Sequence, residues 1–270
     1  SVGAAVVFTA FWFVQNLLYR SVAAELGAMG AVWSGLLVAV LVGLALKPLL
    51  AWAMLKSEVL AVEAALDAGQ GGSLERGRER LRWLVSRDVA ALSESGVRES
   101  AIESLAENLN DSVVAPIFWF VLLGLPGAAL YRFANTADAM WGYRGVYQGQ
   151  HWEWAGKWAA RADDCLSWLP ARITGVLLAL AAGRGGAQLR REAARTPSPN
   201  SGWPMAAMAL GLGVCLQKPG VYALNATGHA PRSSDTVRAV AYASKALASG
   251  VIIAQIAIIF IAIGGVHGGF

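Results

Sequence analysis

The residues in this sequence that are best suited to chemistry are the acids and amides of a short polar segment that leads into an apolar stretch. In a helix of 3.6 residues per turn, Glu103, Glu107, Asn110 and Asp111 fall within one third of the circumference. Carboxylates four residues apart repel each other weakly, and a bound cation would reverse that repulsion. Because Mg²⁺ takes one or two carboxylates together with substrate phosphates, Glu107 and Asp111 are predicted to be metal ligands.

A structural explanation competes with the functional one in this segment. Ser100 and Glu103 have the spacing of a capping box, so Glu103 is explained equally well as the cap of a helix. For Glu107, Asn108 and Asp111 a functional role is favoured. They run directly into apolar sequence, where carboxylates and amides without a use would be expensive to bury.

Three further patches combine arginines with carboxylates, amides or hydroxyl groups. Paired carboxylates beside arginines suit metal–phosphate chemistry, although surface ion pairs would have the same composition. The fourth patch contains prolines and a glycine that predict a loop, and its polar groups are expected either to bind phosphate or amide oxygens or only to cap a helix. The members are Arg132, Asn135, Thr136, Asp138, Tyr143 and Arg144 in the second patch, Arg161, Asp163, Asp164 and Arg172 in the third, and Ser198 and Asn200 within Arg195–Pro204 in the fourth.

General catalytic fingerprints are missing from the sequence. It contains neither a Walker A pattern nor a Rossmann glycine pattern. Its 3 histidines are scattered, and its 2 cysteines, Cys165 and Cys215, are too few and too far apart to predict a disulfide framework or a metal site. The residues alone therefore predict a cytoplasmic acid, arginine and asparagine site for phosphorylated ligands and Mg²⁺.

The elements that must position these residues are helices of a membrane protein. The chain is 56% hydrophobic and 15% charged, whereas soluble domains are about 45–50% apolar and about 25% charged. Three stretches without Lys, Arg, Asp or Glu approach the roughly 20 apolar residues that span a bilayer: Val2–Leu18, Gly30–Leu46 and Ala246–Ile263. Core helices of a large soluble protein are the less favoured explanation. The first stretch is not expected to be a signal peptide, since no basic segment precedes it.

The distribution of basic residues predicts the orientation. All 22 Lys and Arg residues except Arg20 lie between Lys47 and Lys245, and loops rich in these residues stay in the cytoplasm. We therefore expect a multi-pass protein of the cell membrane whose active site faces the cytoplasm. Its single membrane domain is expected to comprise a membrane hairpin at 1–46 with an outer loop at 19–29, a cytoplasm-facing catalytic region at 47–236 and a final span at 237–270.

Three weaker apolar segments interrupt the middle region. Val113–Tyr131 is broken by Pro116 and by Gly124-Leu125-Pro126-Gly127, while Ile173–Gly183 and Met205–Leu216 are shorter than a span. Such segments are tolerated at membrane depth where protein or water covers their backbone, so they are predicted to be re-entrant or buried helices. Five or six true spans are the alternative.

Residues 56–111 have the pattern of amphipathic helices of a soluble region, broken at 69–73 and at 93–96. Their charges predict a solvated face rather than a nucleic-acid site, with Arg76, Arg80 and Arg87 paired to Glu75, Glu79 and Asp88. The predicted fold class is therefore all-α: a polytopic helical membrane protein with cytoplasmic amphipathic helices and re-entrant or short buried helices. No internal repeat is evident, which counts against transporters built from duplicated halves.

Five motifs in sequence order resemble those of the adenosylcobinamide-phosphate synthase (CobD/CbiB) family. The likeness covers about Lys47 to Gly220. The family's usual opening segment with a His-Pro-Val motif has no counterpart in the printed sequence, so site residues of that segment are expected to be missing from it. The motifs are Glu103–Pro116, Tyr131–Arg144, Ala160–Asp164, Leu169–Arg172 and Ser198–Pro204.

This resemblance implies amide-bond formation that depends on ATP and Mg²⁺. A corrin carboxylate of adenosylcobyric acid would be activated and then attacked by the amine of (R)-1-aminopropan-2-yl phosphate, or of threonine phosphate. Under this interpretation the metal or base roles fall to Glu107, Asp111, Asp163 and Asp164. Substrate binding falls to Asn108, Arg132, Asn135, Asp138, Tyr143, Arg144, Arg161, Arg172, Ser198 and Asn200.

Other function classes remain open at this stage. The chain is also compatible with a non-catalytic corrinoid-handling membrane subunit, or with a membrane scaffold or sensor of the same fold. Expected partners are the two substrates, membrane lipids and other late cobalamin-pathway membrane enzymes, and no nucleic acid. ATP turnover that depends on both corrinoid and amine would separate catalysis from the alternatives.

Overall fold

The computed structural model describes residues 2–25, 31–142, 146–147, 150–151, 153–184 and 186–267. The helices are α1 (Val2–Glu25), α2 (Ala31–Leu46), α3 (Trp52–Leu66), α4 (Leu74–Leu81), α5 (Glu94–Leu109), α6 (Ala115–Trp141), α7 (Glu153–Ala182), α8 (Gly186–Ala193), α9 (Gly202–Leu212) and α10 (Ser233–His267). A π-helical turn, Asn110–Val114, joins α5 to α6. Two short antiparallel hairpins are formed by β1 (Val146–Tyr147) with β2 (Gln150–His151), and by β3 (Leu216–Lys218) with β4 (Tyr222–Leu224).

The predicted all-α polytopic membrane fold is confirmed. Within the described residues, 5 helical stretches are long and apolar enough to cross a membrane. These stretches are Val2–Arg20, Gly35–Leu66, Glu94–Trp141, Gly156–Ala182 and Ser233–Ile261. The side of the membrane on which the middle region lies stays a prediction.

The chain divides into two compact units, and the first comprises residues 1–51, 115–166 and 254–270. One hydrophobic cluster of its buried core contains Val38, Val42 and Leu125. Large apolar side chains such as Phe13 and Phe260 are exposed, which is the arrangement expected of helices that face lipid. The predicted outer loop at 19–29 is wrong at its start, because α1 continues to Glu25 through residues that carry no helix breaker.

The predicted break in the Val113–Tyr131 segment is confirmed at Gly124, whose φ of 68° and ψ of −159° are not helical. A Cβ on Gly127 would contact the carbonyl oxygen of Trp119, eight residues earlier, although eight residues of straight helix span about 12 Å. The chain therefore turns back on itself here. Pro116 does not break the helix, because it lies in the first turn, where proline is tolerated.

The side chain of Gln15 completes this turn. Its Oε1 accepts the backbone N–H of Leu125 at 2.8 Å, so the first amide of the returning helical segment has a partner. In a bilayer such an amide has no water to bond, and leaving it unsatisfied would cost several kcal/mol. The segments at 115–123 and 125–141 thus form a helical hairpin against α1, as a re-entrant element requires. That both ends lie on one side of the membrane stays a prediction.

A pair of glycine substitutions tests this turn. Gly124→Ala should destabilise the protein by at least about 2 kcal/mol, because its backbone region is essentially restricted to glycine and the new Cβ would collide with the Gln15 amide. Gly43→Ala is the control, since a Cβ on Gly43 meets nothing within 4 Å and alanine favours a helix. Thermal unfolding in detergent measures both variants, and equal melting temperatures would contradict the turn.

The second compact unit comprises residues 52–114 and 167–253. Helices α3, α4 and α5 enclose a core that includes Val62, Leu81 and Val97. The break predicted at 69–73 is confirmed, whereas the break predicted at 93–96 is placed too late, because α4 ends at Leu81 and α5 already begins at Glu94. The hydroxyl groups of Ser73 and Ser93 cap the N-termini of α4 and α5. Side-chain caps of this type contribute about 1 kcal/mol each.

The structure of α7 differs from the prediction for Ile173–Gly183, whereas that of α9 agrees with the prediction for Met205–Leu216. Ile173–Gly183 is not a separate short helix, because α7 runs without interruption from Glu153 to Ala182 with Pro170 inside it. A proline within a helix cannot donate to the carbonyl four residues earlier, and here the indole N–H of Trp119 donates to Leu166 O at 3.0 Å instead. Helix α9 is short and largely buried, as predicted for that segment, but it ends at Leu212.

Candidate active site in a polar cavity

The second unit contains a polar cavity of about 380 Å³. Two cations, Arg87 and Lys218, and two carboxylates, Glu103 and Glu107, line it. Amide, hydroxyl and phenol groups complete the polar wall. These groups belong to Ser86, Ser100, Ser104, Asn108, Thr196, Ser198, Ser201 and Tyr222.

Local structure explains how each segment reaches the cavity. Successive turns of α5 present their polar residues to it, because residues three and four apart share a helix face. In the loop before α9, the Ser198 hydroxyl accepts the backbone N–H groups of Asn200 and Ser201, both at 3.2 Å. The β3–β4 hairpin turns at Gly220, whose φ of 73° favours glycine, and thereby brings Lys218 and Tyr222 to the wall.

Glu103 lies at the centre of the hydrogen-bond network in this cavity. Its Oε2 accepts from Nη2 of Arg87 at 2.8 Å, and its Oε1 accepts from the Tyr222 hydroxyl at 2.8 Å. The residue is 5% exposed, so both bonds are made in a poorly hydrated environment. Arg87 also donates to the Ser100 hydroxyl. One carboxylate thus ties the α4–α5 connection and the β3–β4 hairpin to α5.

The capping-box interpretation of Ser100 and Glu103 is wrong. Helix α5 begins at Glu94 behind the Ser93 cap, so Ser100 lies in its second turn and donates to Gly96 O at 2.8 Å. The sequence spacing was correct for a box, but the helix starts too early for it to form.

Two of the predicted arginine pairs, Arg80 with Glu79 and Arg87 with Asp88, are also wrong. Arg80 bonds to Glu58 at 2.7 Å, and Arg87 pairs with Glu103 rather than with its neighbour Asp88. Glu79 and Arg80 are neighbours on α4, where adjacent side chains point in different directions, and Arg87 lies in the connection between α4 and α5. Arg80 and Arg87 therefore each pair with a carboxylate from another element of the fold.

Burial and the charge of Glu103 affect the Tyr222 phenol and the Cys215 thiol. Burial, the negative charge of Glu103 and the hydrogen bond to it raise the pKa of the Tyr222 phenol far above its ordinary value. Tyr222 is therefore a neutral hydrogen-bond donor at working pH. Burial and the charges of Glu99, Glu103 and Glu192 also raise the pKa of the Cys215 thiol, which keeps it protonated and a poor nucleophile.

The acidic segment divides at the π-helical turn. Glu107 is exposed and lines the cavity, whereas Asp111, beyond the turn, is not one of the lining residues. The Asp111 carboxylate accepts from the Asn110 amide at 2.7 Å, and Asn110 accepts from the Thr174 hydroxyl at 3.1 Å. Because a π-turn inserts an extra residue, the helix face shared by Glu103 and Glu107 does not continue unchanged to Asp111.

The amide of Asn108, which also lines the cavity, donates to the backbone and hydroxyl oxygens of Ser104. Among the described residues no group of three or more His, Cys, Asp or Glu side chains could hold a metal ion. The joint metal role predicted for Glu107 and Asp111 stays a prediction.

A second polar cluster, in the first unit, unites residues of two predicted patches. The Arg132 guanidinium donates to Asn135 Oδ1 at 3.3 Å, and the Asn135 amide donates to Asp163 Oδ1 at 3.2 Å. Sequence reasoning placed these groups in different patches, and the fold brings them together.

The other predicted residues lie in varied surroundings. Arg161 is exposed on α7, and Asn200 is buried. The Arg172 guanidinium lies 3.9 Å from the ring centroid of Trp168 and 5.0 Å from that of Trp203, an arrangement of cation–π contacts. Tyr143 and Arg144 lie outside the described residues.

Sequence reasoning missed Arg87, Lys218 and Tyr222 as functional candidates. Arg87 belongs to a charge run that was interpreted as a solvated face. The Lys218-Pro219-Gly220 sequence carries a turn signal that predicts a tight reversal, and it could have drawn attention to the two polar residues that flank the reversal.

The fold and cavity together define a polytopic helical membrane protein with a pocket of mixed charge. A sequence model of the family described as CobD/Cbib protein matches residues 1–251. The chain belongs to this family, the adenosylcobinamide-phosphate synthase family of cobalamin biosynthesis.

Named relatives agree with this assignment. The cobalamin biosynthesis protein CobD of Brucella melitensis is 38% identical over 259 residues, covering 88% of this chain and 75% of the relative. The protein of that name from Rhodobacter capsulatus is 39% identical over 227 residues, or 80% of this chain and 69% of the relative. The probable CobD of Methanothermobacter thermautotrophicus is 51% identical over 176 residues, which are 61% of this chain and 57% of the relative's length. No solved structure matches.

Replacing Glu103 and Glu107 one at a time distinguishes the glutamate that stabilises the fold from the glutamate that is exposed in the cavity. Glu103→Gln should lower the free energy of unfolding by about 1–3 kcal/mol, because it removes the charge that satisfies Arg87. Glu107→Gln should change it by less than about 0.5 kcal/mol, since that residue is exposed. Denaturation in detergent gives both values, and a larger loss for Glu107→Gln would contradict the network described here.

Proposed function

We propose that this chain joins the amine of (R)-1-aminopropan-2-yl phosphate, or of threonine phosphate, to a side-chain carboxylate of adenosylcobyric acid. The product is adenosylcobinamide phosphate, and the reaction depends on ATP and Mg²⁺. Membership of the family supports the reaction class. The polar cavity supports a specific place for the smaller substrate, and the observation that carries this placement is the presence of both signs of charge on one wall.

An aminoalcohol phosphate carries a cationic ammonium group and an anionic phosphate within a few bonds. The cavity offers Arg87 and Lys218 for the phosphate and the exposed Glu107 for the ammonium group. Its volume of about 380 Å³ suits a ligand of this size and is far too small for a corrinoid. The corrinoid would therefore present only its reacting carboxylate to the cavity.

The surroundings of the four charged groups suggest a division of roles. Glu103 is buried and already bonded to Arg87 and Tyr222, so it is a positioning residue that holds a guanidinium and a neutral phenol in place. Lys218 lies on the exposed hairpin and contributes a mobile point charge for phosphate. Glu107 is exposed at the wall and binds the ammonium group or accepts its proton.

The oxygen groups of the cavity fit a Mg²⁺–phosphate complex. Mg²⁺ takes one or two carboxylates and completes its shell with water and phosphate oxygens, so Glu107 and the hydroxyl groups of Thr196 and Ser201, which line the same cavity, would hold it while the corrin carboxylate is activated, before Glu107 serves the amine. When bound, ATP and Mg²⁺ would supply the leaving group that a carboxylate lacks. The cations Arg87 and Lys218 would then stabilise the phosphoryl charge.

The bond-forming step follows from these positions. The amine nitrogen attacks the carbonyl carbon of the activated corrin side chain, and the leaving group departs with the electron pair of its C–O bond. The ammonium nitrogen gives up two protons in all: one to Glu107 before the attack, which frees its lone pair, and one to the departing leaving group after the C–N bond has formed. The tertiary contacts of the cavity hold the phosphate end, so that the amine is presented in one orientation.

The sequence-predicted residues outside the cavity are assigned to corrinoid binding and to metal or base chemistry. The cluster of Arg132, Asn135 and Asp163 provides donors and acceptors that suit corrin amides. Asp111 and Asp164 stay candidates for metal or base chemistry. The protein is proposed to lie in the cell membrane with its cavity towards the cytoplasm, where ATP is available.

A first activity test concerns Glu107. Glu107→Gln should lower ATP turnover that depends on both corrinoid and amine by at least ~100-fold, the size of losing one strong electrostatic contact in a catalytic site. Glu79→Gln is the matched control, because it removes the same charge from an exposed position outside the cavity. Near-normal turnover in Glu107→Gln would refute its role, and absence of amine-dependent turnover in the unaltered protein would favour a non-catalytic function.

A second test pairs Lys218 with the phosphate of the substrate. Lys218→Met should raise the KM for aminopropanol phosphate about 10-fold, because a charge-assisted contact is lost. With 1-aminopropan-2-ol, which has no phosphate, the variant and the unaltered protein should have equal KM values. An equal rise for both substrates would show that Lys218 does not bind the phosphate.

A further inference from the structure

A second cavity in the same compact unit has a different character. It has a volume of about 540 Å³ and lies against the C-terminal turns of α7, helix α8 and the start of α9. Its walls are apolar, with Val176, Leu180 and Trp203 among them, and the charged residues among its described lining are Arg184 and Arg190.

The position of this cavity along α7 places it at a membrane boundary. The stretch Gly156–Ala182 is long and apolar enough to cross a bilayer, and Arg184 follows it by two residues. Near its end, Leu180 is 73% exposed and Val176 is 49% exposed. Apolar side chains exposed next to basic ones at the end of a span are the surroundings of the lipid headgroup region.

The two arginines are available to an external anion. In the part of the second unit that the structure describes, the nearby acid Glu192 pairs with Arg195 at 3.2 Å, and no salt bridge is formed by Arg184 or Arg190. The described residues of its wall include no carboxylate, which distinguishes it from the mixed-charge cavity.

We propose that this cavity binds one anionic phospholipid, with the headgroup phosphate on Arg184 and Arg190 and an acyl chain along Val176 and Leu180. Basic pockets between membrane helices recognise anionic headgroups. Trp203 provides the amphipathic ring that is favoured at this depth. A soluble anion would match the arginines but would leave the apolar wall uncovered, so a lipid is the better complement.

Native mass spectrometry of the purified protein with phosphatidylglycerol tests the proposal. The double variant Arg184→Gln/Arg190→Gln should bind the lipid about 30-fold more weakly, from roughly equal contributions of two arginines. Arg191→Gln/Arg232→Gln is the matched control, because it removes two exposed charges outside the cavity and should weaken binding by less than about 3-fold. Unchanged melting temperatures in neutral detergent establish that the variants are folded.

A third variant leaves both arginines in place. Leu180→Glu introduces a carboxylate at an exposed position in the apolar wall and should also reduce lipid retention. Equal weakening in the control double variant, or equal retention of phosphatidylcholine, would overturn the site. Displacement of the lipid by inorganic phosphate at similar concentration would identify a free-anion site instead.

Discussion

A helix break inside a bilayer exposes backbone N–H and C=O groups where no water can reach them, and this constraint governs the form of the protein. At Gly124 the chain reverses, and Gln15 accepts the amide of Leu125 that the reversal leaves open. At Pro170 a carbonyl loses its helical donor, and the Trp119 indole replaces it. Each irregularity therefore requires a polar side chain from elsewhere in the sequence, and these requirements fix which segments pack together.

The polar cavity is subject to a similar constraint, because a buried polar group needs hydrogen-bond partners. Here the buried group is the carboxylate of Glu103. A charge as buried as that of Glu103 is tolerated only when it is paired and hydrogen-bonded. Arg87 and Tyr222 meet this need. In the proposed function this acid organises the site, and the exposed Glu107 contacts the substrate.

The two cavities of the second unit differ in a way that matches their proposed ligands. One wall carries cations and carboxylates, which suits a small molecule that has both an amine and a phosphate. The other carries arginines and apolar side chains, which suits an amphiphile with an anionic head. If both proposals hold, one compact unit binds a soluble substrate and a membrane lipid at separate places, which is a reasonable arrangement for an enzyme that works at a membrane surface.

The sequence by itself determined the membrane class, the order of the family motifs and the local breaks. These depend on the apolar length of a segment, on the sterics of glycine at Gly124 and on the hydroxyl cap of Ser93, all of which act within a few residues. Only the tertiary structure decided the partners of Glu103, which lie 16 and 119 residues away in sequence. Local spacing suggested a capping box for this acid, because helix periodicity describes a single element. Which elements meet depends on packing and on the burial of unpaired polar groups, and neither can be inferred from spacing along the chain.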